Sequence, residues 1–125
     1  MMTDTPTMTT EQMLALPEDG MDRELIAGRL REKPTTRRNR RHSRTTSKVG
    51  KAIELWLDSQ PKPHGEVLSG EAGFRLRRNP DTTVGIDVAY ISAEVAKATP
   101  ETASLVEGPP VPTLKYYRLR IPMKT

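Results

Sequence analysis

Cysteine is absent from the sequence, which excludes disulfide staples and thiolate metal sites. No apolar run is long enough for a signal-peptide core or a membrane span, so a soluble, cytoplasmic protein is expected. Aromatic residues make up only 4% of the chain and apolar residues 34%, while eleven prolines interrupt it. A 125-residue chain suits one domain that buries roughly two thirds of its unfolded surface, so this one is expected to have a thin core and marginal stability. The two histidines show no zinc-ligand spacing, and neither a Ser-His-Asp arrangement nor a phosphate-cradling glycine loop is present. The net charge of +4 mildly favours an anionic partner, of which nucleic acid is the commonest.

What the chain does contain reads as an α+β, mixed α/β, domain. Residues 1–8 form a polar tail, taken as disordered. In "TTEQMLALPEDGM", Thr9 can cap a short helix, with Gln12 reaching back, and residues 17–20 stop it. "RELIAGRLREK" suits a hairpin in which glycine supplies the positive φ of the turn. Val49, Ala52, Ile53, Trp56 and Leu57 fall at the spacing of an amphipathic helix, which predicts one long helix from Asn39 to about Ser59. Three extended pieces follow at residues 66–68, 73–77 and 83–92. The last, "TVGIDVAYIS", is apolar on both sides of one aspartate and reads as a strand largely buried in a sheet. "SAEVAKA" is a short helix, and residues 99–112 are expected to form a proline-rich loop.

Two features can carry chemistry. Between Arg31 and Lys51 lie Arg31, Lys33, Arg37, Arg38, Arg40, Arg41, Arg44, Lys48 and Lys51 against the single acid Glu32, nearly half of the chain's 20 lysines and arginines. Such a stripe can follow a phosphate backbone, or it can be a solvated helix face preceded by a flexible loop. Aromatics for stacking on bases are missing from it, which argues against single-strand recognition. His42 is assigned to the solvated basic segment rather than to a base. The second feature is Asp87, a carboxylate inside a buried strand, which needs a cation or hydrogen bonds to offset its desolvation. A Mg²⁺ ion, an arginine or a turn cap would each serve. Glu24 and Glu71 are the other acids beside predicted strands.

These segments, "TTEQMLALPEDGMDRELIAGRLRE", "RHSR", "GEVLSGEAGFRLRRNPDT" and "IDVAYIS", resemble in order and spacing the Uma-type restriction endonuclease family of the PD-(D/E)XK nuclease superfamily. The resemblance covers about residues 9–114. It implies a central mixed sheet flanked by helices, with residues 9–98 a partial restriction-endonuclease-like domain, and DNA as a partner; a homodimer is kept open beside it. It also implies a Mg²⁺-dependent phosphodiesterase site with Asp87, Glu24 and Glu71 as catalytic acids and Asp87 and Glu71 as metal ligands; the basic stripe, read from its charge, supplies Arg37, Arg38, Arg40, Arg41, Arg44 and Lys48 as the expected nucleic-acid contacts. Where the family reads Pro-Asp-Val-Ala, this chain has Ile86-Asp87-Val88-Ala89, so the aspartate is kept and the proline lost. Glu24 matches the first glutamate of the family's Tyr-Glu-Leu-Ile-Asp-Gly-Glu-Leu, whose two later acids are lost here. Glu71 matches the glutamate of Glu-Thr-Gly-Phe.

After "VEGPPVPTL" the family continues into a strand reading roughly Val-Glu-Ile-Leu-Ser-Pro-Ser-Asp and then a lysine-bearing helix. This chain has "KYYRLRIPMKT". With chosen synonymous codons and one added G, the same bases spell Glu-Ile-Leu-Ser-Pro-Ser-Asp-Thr-Asn-Glu. The tail is therefore read as shifted out of frame just before Lys115, with the second catalytic motif lost and cleavage weak or absent. Partial disorder or aggregation is expected after about Thr99, because a sheet without its later strands exposes an edge. A small non-enzymatic nucleic-acid-binding protein, or the product of a decayed gene, is the alternative.

Overall fold

The computed structural model describes residues 7–108. Its elements are α1 (Thr10–Leu14), β1 (Met21–Ile26), β2 (Arg29–Pro34), α2 (Arg40–Asp58), β3 (Glu66–Arg77), β4 (Thr82–Ile91), α3 (Ala93–Ala98) and β5 (Val106–Glu107). They build a five-stranded mixed sheet in the order β2-β1-β4-β3-β5, in which only the β3–β5 pairing is parallel. The fold is thus α+β, with one long helix among the described residues. The expected reading of residues 115–125 lies outside the described residues.

Local chemistry explains the short elements. The capping box at α1 forms as the sequence suggests, with Gln12 N–H donating to the Thr9 hydroxyl and Thr9 N–H to the Gln12 side chain. Asn39 caps α2 by accepting from His42 N–H at 2.8 Å. Between β1 and β2 both turn residues have positive φ, Ala27 at 52° and Gly28 at 80°. Two successive left-handed residues suit the twist of a hairpin, and the glycine is used as expected. Ala27 is in the same region without glycine's freedom, which costs about 1–2 kcal/mol. Met8 N–H donates to Gly28 O, so the chain is already tied to this turn at the end of the segment expected as a tail.

β3 and β4 form the long antiparallel ladder at the centre of the sheet. Ser69 pairs with Val88 and Ala72 with Ile86, so Gly70 and Glu71 together oppose Asp87 alone. This β-bulge corrects the sequence reading, which broke one continuous strand into two pieces at residues 69–72. Gly85 makes room for it, since a Cβ there would lie 3.3 Å from Glu71 O and 3.5 Å from Glu71 Cβ. On one face Phe74, Val84, Ile86, Ala89, Ile91 and Val106 form the core, with Leu68, Ala72 and Leu76 and with Val95 and Ala96 of α3 packed against it. Val67, Ser69, Glu71, Asp87 and Tyr90 face α2 on the other. That second face is lightly covered. Leu57 is the one buried apolar residue of the predicted stripe, Ala52 is exposed, and Trp56, 44% exposed, meets Tyr90 edge-on at 5.5 Å.

Of the segment 99–112 expected to form a loop, the described part, residues 99–108, contains a short strand, because Val106 and Glu107 pair in parallel with Phe74 and Arg75. Within the described residues the chain therefore returns to the sheet beyond Thr99.

A polar cluster fastens the edges of this sheet. Asp81, in the β3–β4 turn and 6% exposed, accepts from Thr10 N–H at 2.8 Å and from the Thr10 hydroxyl at 2.6 Å. Arg75 reaches it at 3.3 Å and also grips both oxygens of Glu107 at 3.0 and 2.7 Å and Glu11 at 3.0 Å. The Thr10 hydroxyl and main-chain N–H are the main reason that the Asp81 carboxyl is held at about 2, below its ordinary 3.8. The hydrogen bond to Glu107 holds the Arg75 guanidinium above its ordinary range.

Two outcomes follow. Ala27→Gly is expected to raise stability by about 1 kcal/mol, seen as a higher urea midpoint at unchanged slope; a lower midpoint would show that the turn is relaxed. Because Asp81 titrates lower when folded, the unfolded chain binds more protons between the two values. Its contribution, on the order of 2 kcal/mol, is complete above about pH 4 and lost as pH falls toward about 2. Asp81→Asn should lower stability at neutral pH and flatten that acid limb in denaturant titrations, whereas an unchanged limb would place the dependence on other carboxyls.

Candidate functional site

The bulge and the start of α2 together create a groove. Asn39 fixes where the helix begins, so Arg38 before it and His42 in its first turn project over the sheet face bearing Glu71 and Asp87. A cavity of about 760 Å³ runs along this side of α2, lined among others by Asp22, Arg38, His42, Thr46, Lys51, Ser69, Glu71 and Asp87. A contiguous cavity of about 720 Å³ continues under the hairpin and adds Glu24, Glu32, Thr83 and Gly85. Three acids singled out from the sequence, Glu24, Glu71 and Asp87, therefore share one groove.

Their environments differ. Asp87 is buried, at 9% exposure, as its strand suggested, and His42 Nε2 stands 3.9 Å from its Oδ1. That separation is an ion-pair distance when the imidazole is protonated, too long for a hydrogen bond. His42 is thus corrected from a solvated basic segment to the groove, with its side chain only 16% exposed. Glu71 is less enclosed, at 40% side-chain exposure, and sits at φ 62° beside Gly70 at φ 84°. Its carboxylate is taken by the Arg38 guanidinium. That hydrogen bond raises the affinity of Arg38 for its proton, and Asp87 and Asp22 add to the effect through space. Glu24 lies on β1, half-buried and opposite Arg31 in the hairpin register.

The basic residues separate into two groups. Arg40, Arg41, Arg44 and Lys48 are all exposed and fall within an arc of roughly 100° on α2, taking 100° per residue. His42 and Thr46, which line the groove, lie well outside that arc, whereas Lys51 falls within it and also reaches the groove, so the stripe borders the groove at that point. Arg38 alone of the predicted nucleic-acid contacts enters the groove, while Arg37 is exposed on the segment between β2 and α2. Asp22 was missed by sequence reading, since an acid on a short hairpin strand carries no sign of what lies across from it. Arg75 and Asp81 were missed too, though an aspartate in an Asn-Pro-Asp turn is a common local acceptor.

A divalent ion of the kind the family resemblance implies prefers one or two carboxylates with room for its waters. Glu71 and Asp87 do not offer that, since a guanidinium occupies the first and an imidazole stands beside the second. Among the described residues no group of three or more His, Asp or Glu side chains is placed to hold a metal ion. The residues present do not fit Mg²⁺. Among the described residues no helix is long and apolar enough to cross a membrane. Comparison with family models, curated proteins and solved structures finds no match.

Proposed function

We propose that this chain is a DNA-binding protein built on a PD-(D/E)XK-like nuclease scaffold, with weak or absent cleavage. The observation that carries the reading is the division of charge around α2. The Glu71 and Asp87 carboxylates line the groove and meet nitrogen groups of the protein itself, Asp87 buried and Glu71 at 40% side-chain exposure, while Arg40, Arg41, Arg44 and Lys48 form one exposed stripe on α2. Phosphodiester hydrolysis needs the acids free to position a metal and water. Binding to a duplex backbone needs only an exposed row of cations, and α2 presents one. Restriction-endonuclease chemistry enters through the sequence resemblance, which supports the ancestry of the groove.

Fluorescence anisotropy with a random-sequence duplex tests this. With about four phosphate contacts, affinity should fall on the order of a hundredfold between roughly 50 and 200 mM salt and be indifferent to chelator. Replacing Arg40, Arg41 and Arg44 by glutamine should weaken binding and flatten the salt slope. Salt-insensitive binding, or Mn²⁺-dependent cleavage abolished by Asp87→Ala, would overturn the reading.

A further inference from the structure

We propose that Arg38 is a resident cation that keeps divalent metal ions out of the groove. The inference concerns the same groove and rests on its reading as a nuclease-like site. Each partner is held in place independently of the other. Arg38 precedes the Asn39 cap, whose side chain accepts from His42 N–H, so its position follows from the start of a 19-residue helix. Glu71 is held by the bulge opposite Asp87, with its backbone against Gly85 and a left-handed φ that a free loop would relax. A guanidinium delivered to a carboxylate at a strained position fills the place that an external cation would otherwise take.

His42 completes the arrangement. It brings a second nitrogen group to Asp87, so neither carboxylate facing α2 at the bulge lacks a neighbour able to carry positive charge. A divalent ion arriving between them would meet the fixed charge of Arg38 at close range and would have to displace it from Glu71. Removing that one charge leaves two carboxylates from adjacent strands, with Ser69 on the same wall, which suits a hydrated Mg²⁺ or Mn²⁺ ion.

The test is Mn²⁺ binding by the full chain without DNA, read from the EPR signal of free Mn²⁺. Arg38→Met, which keeps the aliphatic stem, is expected to bind Mn²⁺ about tenfold more tightly than the wild type. Adding Asp87→Asn to it should abolish the gain, and Arg38→Lys, which keeps the charge, should show none. Arg38→Gln serves as the second neutral variant if the methionine form does not fold, as judged by circular dichroism. Wild-type binding that equals the neutral variants and is lost in Asp87→Asn would overturn the proposal, as would neutral variants that gain nothing. Failure of the DNA-binding reading would show only in anisotropy and leave these EPR results unchanged, so the two are separable.

Discussion

One carboxylate sets the geometry of this small sheet. Asp81 sits in the turn that joins β3 to β4 and draws the Thr10 main chain, the Thr10 hydroxyl and Arg75 onto itself. The Thr10 hydroxyl also meets Thr83 at 2.7 Å, so the start of α1 is fixed to the first residues of β4. Arg75 carries the same tie across β3 to Glu107, which holds β5 at the sheet edge. A thin apolar core gains from this, because a buried charged network that is fully hydrogen-bonded specifies one arrangement where packing alone would allow several. Its cost appears if a partner is lost, since the remaining charge is then buried without compensation.

With the turn fixed, the ladder runs in register until Gly70 and Glu71 oppose Asp87, and the extra residue decides what α2 faces. Glu71 and Asp87 come to lie on the helix side, where Arg38 and His42 descend on them. An exposed ion pair of the Arg38–Glu71 kind contributes at most about 1 kcal/mol to stability, so its significance is positional rather than energetic. The same helix turns its remaining arginines away from the acids. A duplex bound to that stripe would contact the exposed face of α2 that borders the groove at Lys51.

Much of this was legible in the sequence where the signal is local. The Asn39 cap and the apolar spacing after it placed α2 within a residue or so, Gly28 marked the hairpin, and a lone aspartate in an apolar run marked Asp87 as buried. What failed to show depends on distance along the chain. The Thr10–Asp81 bond joins residues 71 positions apart, and no local pattern reports it. Ser69-Gly70-Glu71 reads as a break because a bulge and a turn use the same residues, and only the pairing with β4 distinguishes them. β5 is two residues long and depends on Arg75 and Phe74 for its place, so its own composition says nothing. His42 was misplaced because its role follows from the phase of α2 against the sheet, which the helix sequence alone does not fix.

The account stands on the coupling between Thr10 and Asp81, and a double-mutant cycle by equilibrium denaturation measures it most directly. With Thr10→Val, Asp81→Asn and the double variant, it predicts single losses that do not add, with a coupling of about 1–3 kcal/mol. Additive losses would contradict it, and would mean that the β3–β4 turn and the start of α1 are held in place separately.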